Sequence, residues 1–129
     1  MDEKDLIFDW NTIDYEIKRD SSNHPHDVWF DDETLRDGLQ SPSARNPTID
    51  EKIELIDFME KLGIQKVDLG LPGAGPFHIK HIDSMLTHMT EKSYELRPGC
   101  AVRTVVDDIR PLVDLQAKHE RQIQASAFL

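Results

Sequence analysis

Four short apolar runs recur along the chain, VWFDDE (28–33), KVDLGL (66–71), LRPGCAV (96–102) and QIQASAFL (122–129). Runs of this length, bounded by turn residues, read as strands. Between them lie stretches whose apolar residues repeat with the helical period. Strand and helix alternating at roughly 30-residue spacing make the strands parallel, because a parallel pair needs a crossover long enough to hold a helix. Two architectures satisfy this pattern: an open doubly wound sheet, or part of a closed barrel.

The helix ends are marked by specific chemistry. Thr48-Ile49-Asp50-Glu51 is a capping box, in which a threonine hydroxyl accepts from a free backbone N–H and the glutamate reaches back. Ile49, Ile53, Ile56 and Met59 then form one stripe, flanked by Phe58 and Leu62, and Gly63 supplies a left-handed end. Pro76 fits the first turn of a second helix carrying Ile79, Ile82, Leu86 and Met89. Pro98 and Gly99 weaken the start of the third strand. For the third helix, Asp107 is a better cap than Thr104 and places Pro111 in the first turn. Ile109, Leu112, Val113 and Leu115 are its expected core face.

Composition narrows the partners. The chain has 129 residues, with 25 Asp and Glu against 15 Lys and Arg, a formal charge of −10. Such a surface repels phosphate backbones and anionic membranes, so neither nucleic acid nor a membrane is an expected partner. No apolar run approaches the ~20 residues that span a bilayer. A single cysteine, Cys100, excludes an internal disulfide and suits a reducing cytoplasm. Residues 1–27 are polar with scattered aromatics and read as an N-terminal extension to a domain over 28–129. The chain stops inside an apolar strand at Ala127-Phe128-Leu129, as expected of a cut through a longer protein.

Chemistry concentrates after the first strand, where Asp31, Asp32, Glu33, Arg36, Asp37 and Gln40 crowd together. Active sites of parallel α/β folds lie at the C-terminal ends of the strands. A solvated loop holding an Arg–Asp pair accounts for the spacing equally well.

Asp32-x-Thr34-Leu35-Arg36-Asp37-Gly38-x-Gln40 resembles the first-strand signature of the DRE-TIM metallolyase family. Val67-Asp68-Leu69-Gly70-Leu71-Pro72, Ala101-Val102-Arg103-Thr104 with Asp108-Ile109, and Ala127-Phe128-Leu129 agree in order, so the resemblance covers 28–129. It implies an α/β fold comprising the first four β/α units of a TIM (β/α)8 barrel, a fold of about 250 residues when complete. It also implies condensation of a 2-oxo acid with acetyl-CoA, with a divalent metal (Mg, Mn or Zn) polarising the keto group. By resemblance, Asp37 is a metal ligand and Arg36 stabilises the enolate. Gln40 lines the substrate side, and Arg103 touches the substrate. Asp68 stands where the family usually has the glutamate that steadies the arginine, and is one methylene shorter.

The expected activity is that of a 2-isopropylmalate synthase-like member of the family, an acyltransferase of leucine biosynthesis acting on acetyl-CoA and 2-oxoisovalerate. The alternatives are the lyase of 3-hydroxy-3-methylglutaryl-CoA and the homocitrate or citramalate synthases. Leu39, where the synthases more usually carry an acidic residue, keeps the lyase open. A reading from another class is a non-catalytic half-barrel that self-associates through open strand edges. The family's remaining metal ligands include a His-x-His pair on a late strand, beyond residue 129, so this chain alone is expected to be inactive.

Other motifs favour plainer readings. His24-Pro25-His26 has the His-x-His spacing but precedes the first strand, so it reads as linker. His78, His81 and His88 read as a solvated helix face rather than a zinc site. Gly70-Leu71-Pro72-Gly73-Ala74-Gly75 lacks the phosphate-loop spacing and reads as a tight turn. Cys100 reads as core.

Overall fold

The strands and helices alternate as the pattern requires. The computed structural model describes residues 29–42 and 44–129. In order these form β1 (Asp31–Asp32), a 3-10 turn (Gly38–Gln40), α1 (Ile49–Leu62), β2 (Lys66–Asp68), a second 3-10 turn (Pro72–Ala74), α2 (Pro76–Glu91), β3 (Arg97–Arg103), α3 (Val106–His119) and β4 (Gln124–Phe128). The expected 1–27 extension, with His24 and His26, lies outside the described residues, as does Val28.

The four strands are parallel and lie in the order β1-β2-β3-β4. Each strand joins on the same side as the one before, so the order never reverses. A doubly wound sheet needs such a reversal. α1 packs on α2 and α2 on α3, as right-handed crossovers running in one direction require. Singly wound units of this kind are what a (β/α)8 barrel repeats. The core lies between helices and sheet. Ile56, Met59, Ile82, Met85, Leu86, Met89, Leu112 and Leu115 from the helices meet Val67, Cys100 and Val102 from the strands.

Local chemistry sets the first crossover. Thr48 Oγ1 accepts from the Glu51 N–H at 3.3 Å, and Glu51 Oε2 accepts from the Thr48 N–H at 2.8 Å, completing the capping box. At the other end Gly63 has φ 73°, and the Ile64 N–H reaches back to the Met59 carbonyl at 3.0 Å. Phe58 and Leu62 are exposed rather than packed, while Lys52 is turned inward.

Two elements differ from expectation. The first strand pairs with β2 only through Asp31 and Asp32, with one further bond from the Lys66 N–H to the Phe30 carbonyl at 3.1 Å. Trp29 and Phe30 are 43% and 63% exposed, because an edge strand has fewer neighbours to cover it. The third helix begins at Val106 with Val105 as its cap, and no side chain caps it. Asp107 is therefore inside the first turn, and Pro111 falls in the second, within the helix. Asp108, Leu112 and Leu115 face inward at helical spacing, leaving Ile109 and Val113 exposed.

Asp108 explains that rotation. It is 1% exposed, and its carboxylate accepts from Arg103 Nε and Nη2 at 2.7 Å each and from the Arg103 N–H at 3.0 Å. The Arg103 guanidinium holds the Asp108 carboxyl below its usual range, so the pair stays ionised. The carboxylate lies against Gly73 so closely that a Cβ there would sit 2.1 Å from Asp108 Oδ1. Gly73 is therefore required by a close approach, and its backbone is not in the left-handed region. Gly73→Ala is expected to destabilise the fold by about 2 kcal/mol through overpacking. The double variant Gly73→Ala/Asp108→Ala should cost less than the sum of the singles by denaturant titration. Additive losses would show that the two residues do not compete for the same space.

Candidate active site

The turn after β1 is built by its own polar groups. Asp32 Oδ1 accepts from the Thr34 N–H at 2.8 Å. The Glu33 carbonyl accepts from the N–H groups of Arg36 and Gly38 at 3.2 and 3.1 Å. Leu35 is buried and anchors the turn to the core. The chain thus delivers Arg36 and Asp37 to the C-terminal edge of the sheet, where β2 ends in Asp68 and β3 in Arg103.

Arg36 is the hub. Its Nε and Nη2 lie 2.7 and 2.6 Å from Glu33 Oε2, and its Nη1 lies 3.3 Å from Asp37 Oδ1. Its Nε stands 3.6 Å from Asp68 Oδ2, an ion pair beyond hydrogen-bond reach. Asp68 is 3% exposed; Oδ1 accepts from the Gly70 N–H at 2.9 Å, while Oδ2 is buried without a hydrogen-bond partner. Burial pushes the Asp68 carboxyl up to about 6, against the pull of the Gly70 N–H and Arg36, with the Glu33 charge adding to the rise. A glutamate would carry its carboxylate up to about 1.5 Å further, one C–C bond, more than separates the 3.6 Å ion pair from hydrogen-bond distance.

The sequence-derived candidates divide accordingly. Arg36, Asp37 and Asp68 are brought together. Gln40, on the first 3-10 turn, shares with Arg36 the wall of a cavity of about 250 Å³. Arg103 is bound to Asp108, and no contact links it to Arg36 among the described residues. Asp37 is 63% exposed at its side chain and offers oxygen donors suited to a hard divalent cation. It fits as one ligand, but no group of three or more His, Cys, Asp or Glu that could hold a metal occurs among the described residues.

The plainer motifs resolve in different ways. In the 70–75 loop the Gly70, Ala74 and Gly75 N–H groups are taken by Asp68, Leu71 and Pro72, a turn rather than a phosphate cradle. Cys100 is fully buried, and burial raises its thiol far from ionisation. The α2 histidines are not a uniform solvated face. His88 Nε2 lies 2.6 Å from Asp57 Oδ1, and His81 has a buried, unpartnered Nδ1.

Sequence reading did not single out Lys52, and it named Glu33, His81 and Asp108 without the roles the structure gives them. Glu33 and Arg36 stand at the i,i+3 spacing of a turn pair, and Lys52 stands within the Ile49–Ile56–Met59 stripe, so both left a signal. His81 and Asp108 left none, since their surroundings come from distant segments.

The HMGL-like family model matches residues 27–126. A 2-isopropylmalate synthase of Crocosphaera subtropica is 40% identical over 89 residues, which cover 69% of this chain and 16% of that protein. Those of Streptococcus gallolyticus and Caulobacter vibrioides are 38% and 37% identical over 63 and 62 residues, 49% and 46% of this chain and 12% of each relative. The matched region is thus less than a fifth of each of these relatives. No solved structure matches significantly. With the family signature extending over nearly all of the described strands and helices, the chain belongs to the HMGL-like, or DRE-TIM metallolyase, family.

Proposed function

We propose that this chain is the N-terminal half of the catalytic barrel of a metal-dependent acyl-CoA:2-oxo-acid condensing enzyme of the cytoplasm. The whole enzyme would make 2-isopropylmalate from acetyl-CoA and 2-oxoisovalerate, in leucine biosynthesis. The observation that carries this reading is Arg36 at the strand ends, ringed by Glu33, Asp37 and Asp68. A guanidinium held by carboxylates is pre-oriented, and its N–H groups stabilise negative charge developing on an enolate or alkoxide oxygen. Asp68 steadies that guanidinium by charge alone, at 3.6 Å from its Nε, and Gln40 would present its carboxamide to a bound substrate. Arg103 serves the substrate only after leaving Asp108. Asp37 would be one ligand of a divalent ion, which supplies Lewis-acid polarisation of a carbonyl when bound. Complete coordination requires ligands from later strands of the barrel.

The self-associating reading has its own support. Among the described residues the outer edges of β1 and β4 are unpaired, and Val105, Val106, Ile109, Val113 and Phe128 are exposed. Open edges and apolar surface drive pairing, and this is compatible with a catalytic parent.

Three measurements test these readings. The chain alone, given acetyl-CoA, 2-oxoisovalerate and Mg, Mn or Zn, should release no thiol. Supplied with the second half of a 2-isopropylmalate synthase barrel it should regain thiol release, and Arg36→Ala should lower that rate by about 10²-fold or more. Turnover by the isolated chain, or restored activity indifferent to Arg36, would overturn the assignment. Light scattering at micromolar concentration should give a dimer or larger species, and a clean monomer would exclude self-association. For Asp68, the folded value of about 6 lies above the ordinary 3.8, so the fold binds more protons than the unfolded chain between those values. Its contribution is fully present below pH ~4 and is lost as pH rises through ~6, about 3 kcal/mol in all. Asp68→Asn should remove this slope from denaturant titrations, and an unchanged slope would place its origin elsewhere.

A further inference from the structure

Acidic residues outnumber basic ones by 25 to 15 in this chain, yet the 250 Å³ cavity beside Arg36 has no carboxylate among its described lining residues. It lies between α1, α2 and the loops that follow β1 and β2, and its polar lining is Arg36, Gln40, Asn46, Lys52, His78 and His81. Lys52 is 4% exposed, and its ammonium has no ion pair or hydrogen bond among the described residues. The ammonium is not fully enclosed but opens onto the cavity, where a largely desolvated cation is stabilised by an anion that pairs with it. The sequence shows how it came to be there, since Lys52 occupies the inward stripe of α1 between Ile49 and Ile56.

His81 presents a second unmet group on the same wall. Its Nδ1 is buried and has no hydrogen-bond partner, and its ring is fixed against Phe77 with centroids 4.2 Å apart. Burial, with the nearby Lys52 charge, lowers the His81 pKa and favours the neutral ring. A neutral imidazole in its Nδ1–H tautomer is a donor. Lys52 and the Nδ1–H form of His81 would together offer two donors to one acceptor. Glu33 already holds Arg36, so the guanidinium adds less charge than its proximity implies. Gln40 and Asn46 add carboxamide N–H groups.

We propose that this cavity is a binding site for one small oxyanion, a carboxylate or phosphate group, held by Lys52 and His81 with Gln40 and Asn46 completing its hydrogen bonds. The volume suits this ligand. At about 30 Å³ per water, it holds a phosphate or a three- to five-carbon carboxylate with a few waters. The cavity shares Arg36 and Gln40 with the proposed catalytic site, but anion binding is read without metal, acetyl-CoA or thiol release. Failure of either reading is thus visible without the other.

The test titrates inorganic phosphate, acetate and malonate separately into the 129-residue chain by calorimetry, with chloride holding ionic strength constant. Saturable binding is expected, and the order of affinities tells a phosphate site from a carboxylate site. Lys52→Met should weaken binding about tenfold or more while raising the melting temperature of the free protein, because an unpaired buried charge has been removed. Lys52→Arg should keep affinity within a few-fold of the starting protein. His81→Asn, which retains a folded core should Lys52→Met not fold, should weaken binding about threefold or more. Absence of saturable binding, or a folded Lys52→Met and His81→Asn that both bind as the unmodified chain does, would overturn the proposal.

Discussion

The structure depends on one constraint, a parallel ladder in which every strand is added on the same side. Parallel pairing demands a crossover, right-handed crossovers taken in one direction put every helix on one face, and every strand then ends at the same edge. That edge is where Arg36, Asp68 and Arg103 stand, although they are far apart in sequence. The loops are free to carry charge because the core is built elsewhere, from the α1, α2 and α3 stripes against β2 and β3. Fold and site are separate physical layers, joined where the strands stop.

Three charged side chains are buried among the described residues, and each meets the cost of burial differently. Asp108 is fully paired, with three bonds from Arg103 and a glycine cleared to make room. Asp68 is half satisfied, with one oxygen bound and the other 3.6 Å from Arg36. Lys52 has no ion pair or hydrogen bond among the described residues and lines a cavity. A closed pair such as Arg103–Asp108 joins a strand end to the next helix. Open ones such as Asp68 and Lys52 leave capacity for a ligand.

Much of this was legible in the residues. Thr48-x-x-Glu51 and Gly63 mark α1 by local hydrogen bonding alone, and Pro76 opens α2 because a missing N–H does no harm there. The crowd from Asp32 to Gln40 marked the candidate site. The third helix was less legible. Asp107 looked like the cap, but Asp108 is claimed by Arg103 across the strand–helix junction, and that bond turns Ile109 and Val113 outward. Phe30, apolar by type, is exposed just before the short edge strand β1.

By itself the sequence determined the alternation of strand and helix, the parallel sense of the strands and the chemistry available at their ends, because periodicity, caps and turn residues act within a few positions of one another. Only the tertiary structure decided the singly wound order, the 3.6 Å gap that the shorter Asp68 leaves beside Arg36, and the gathering of Lys52 and His81 around one cavity. Those depend on how segments some 30 residues apart are brought into contact, and on burial, which turns an ordinary lysine or aspartate into an unmet charge.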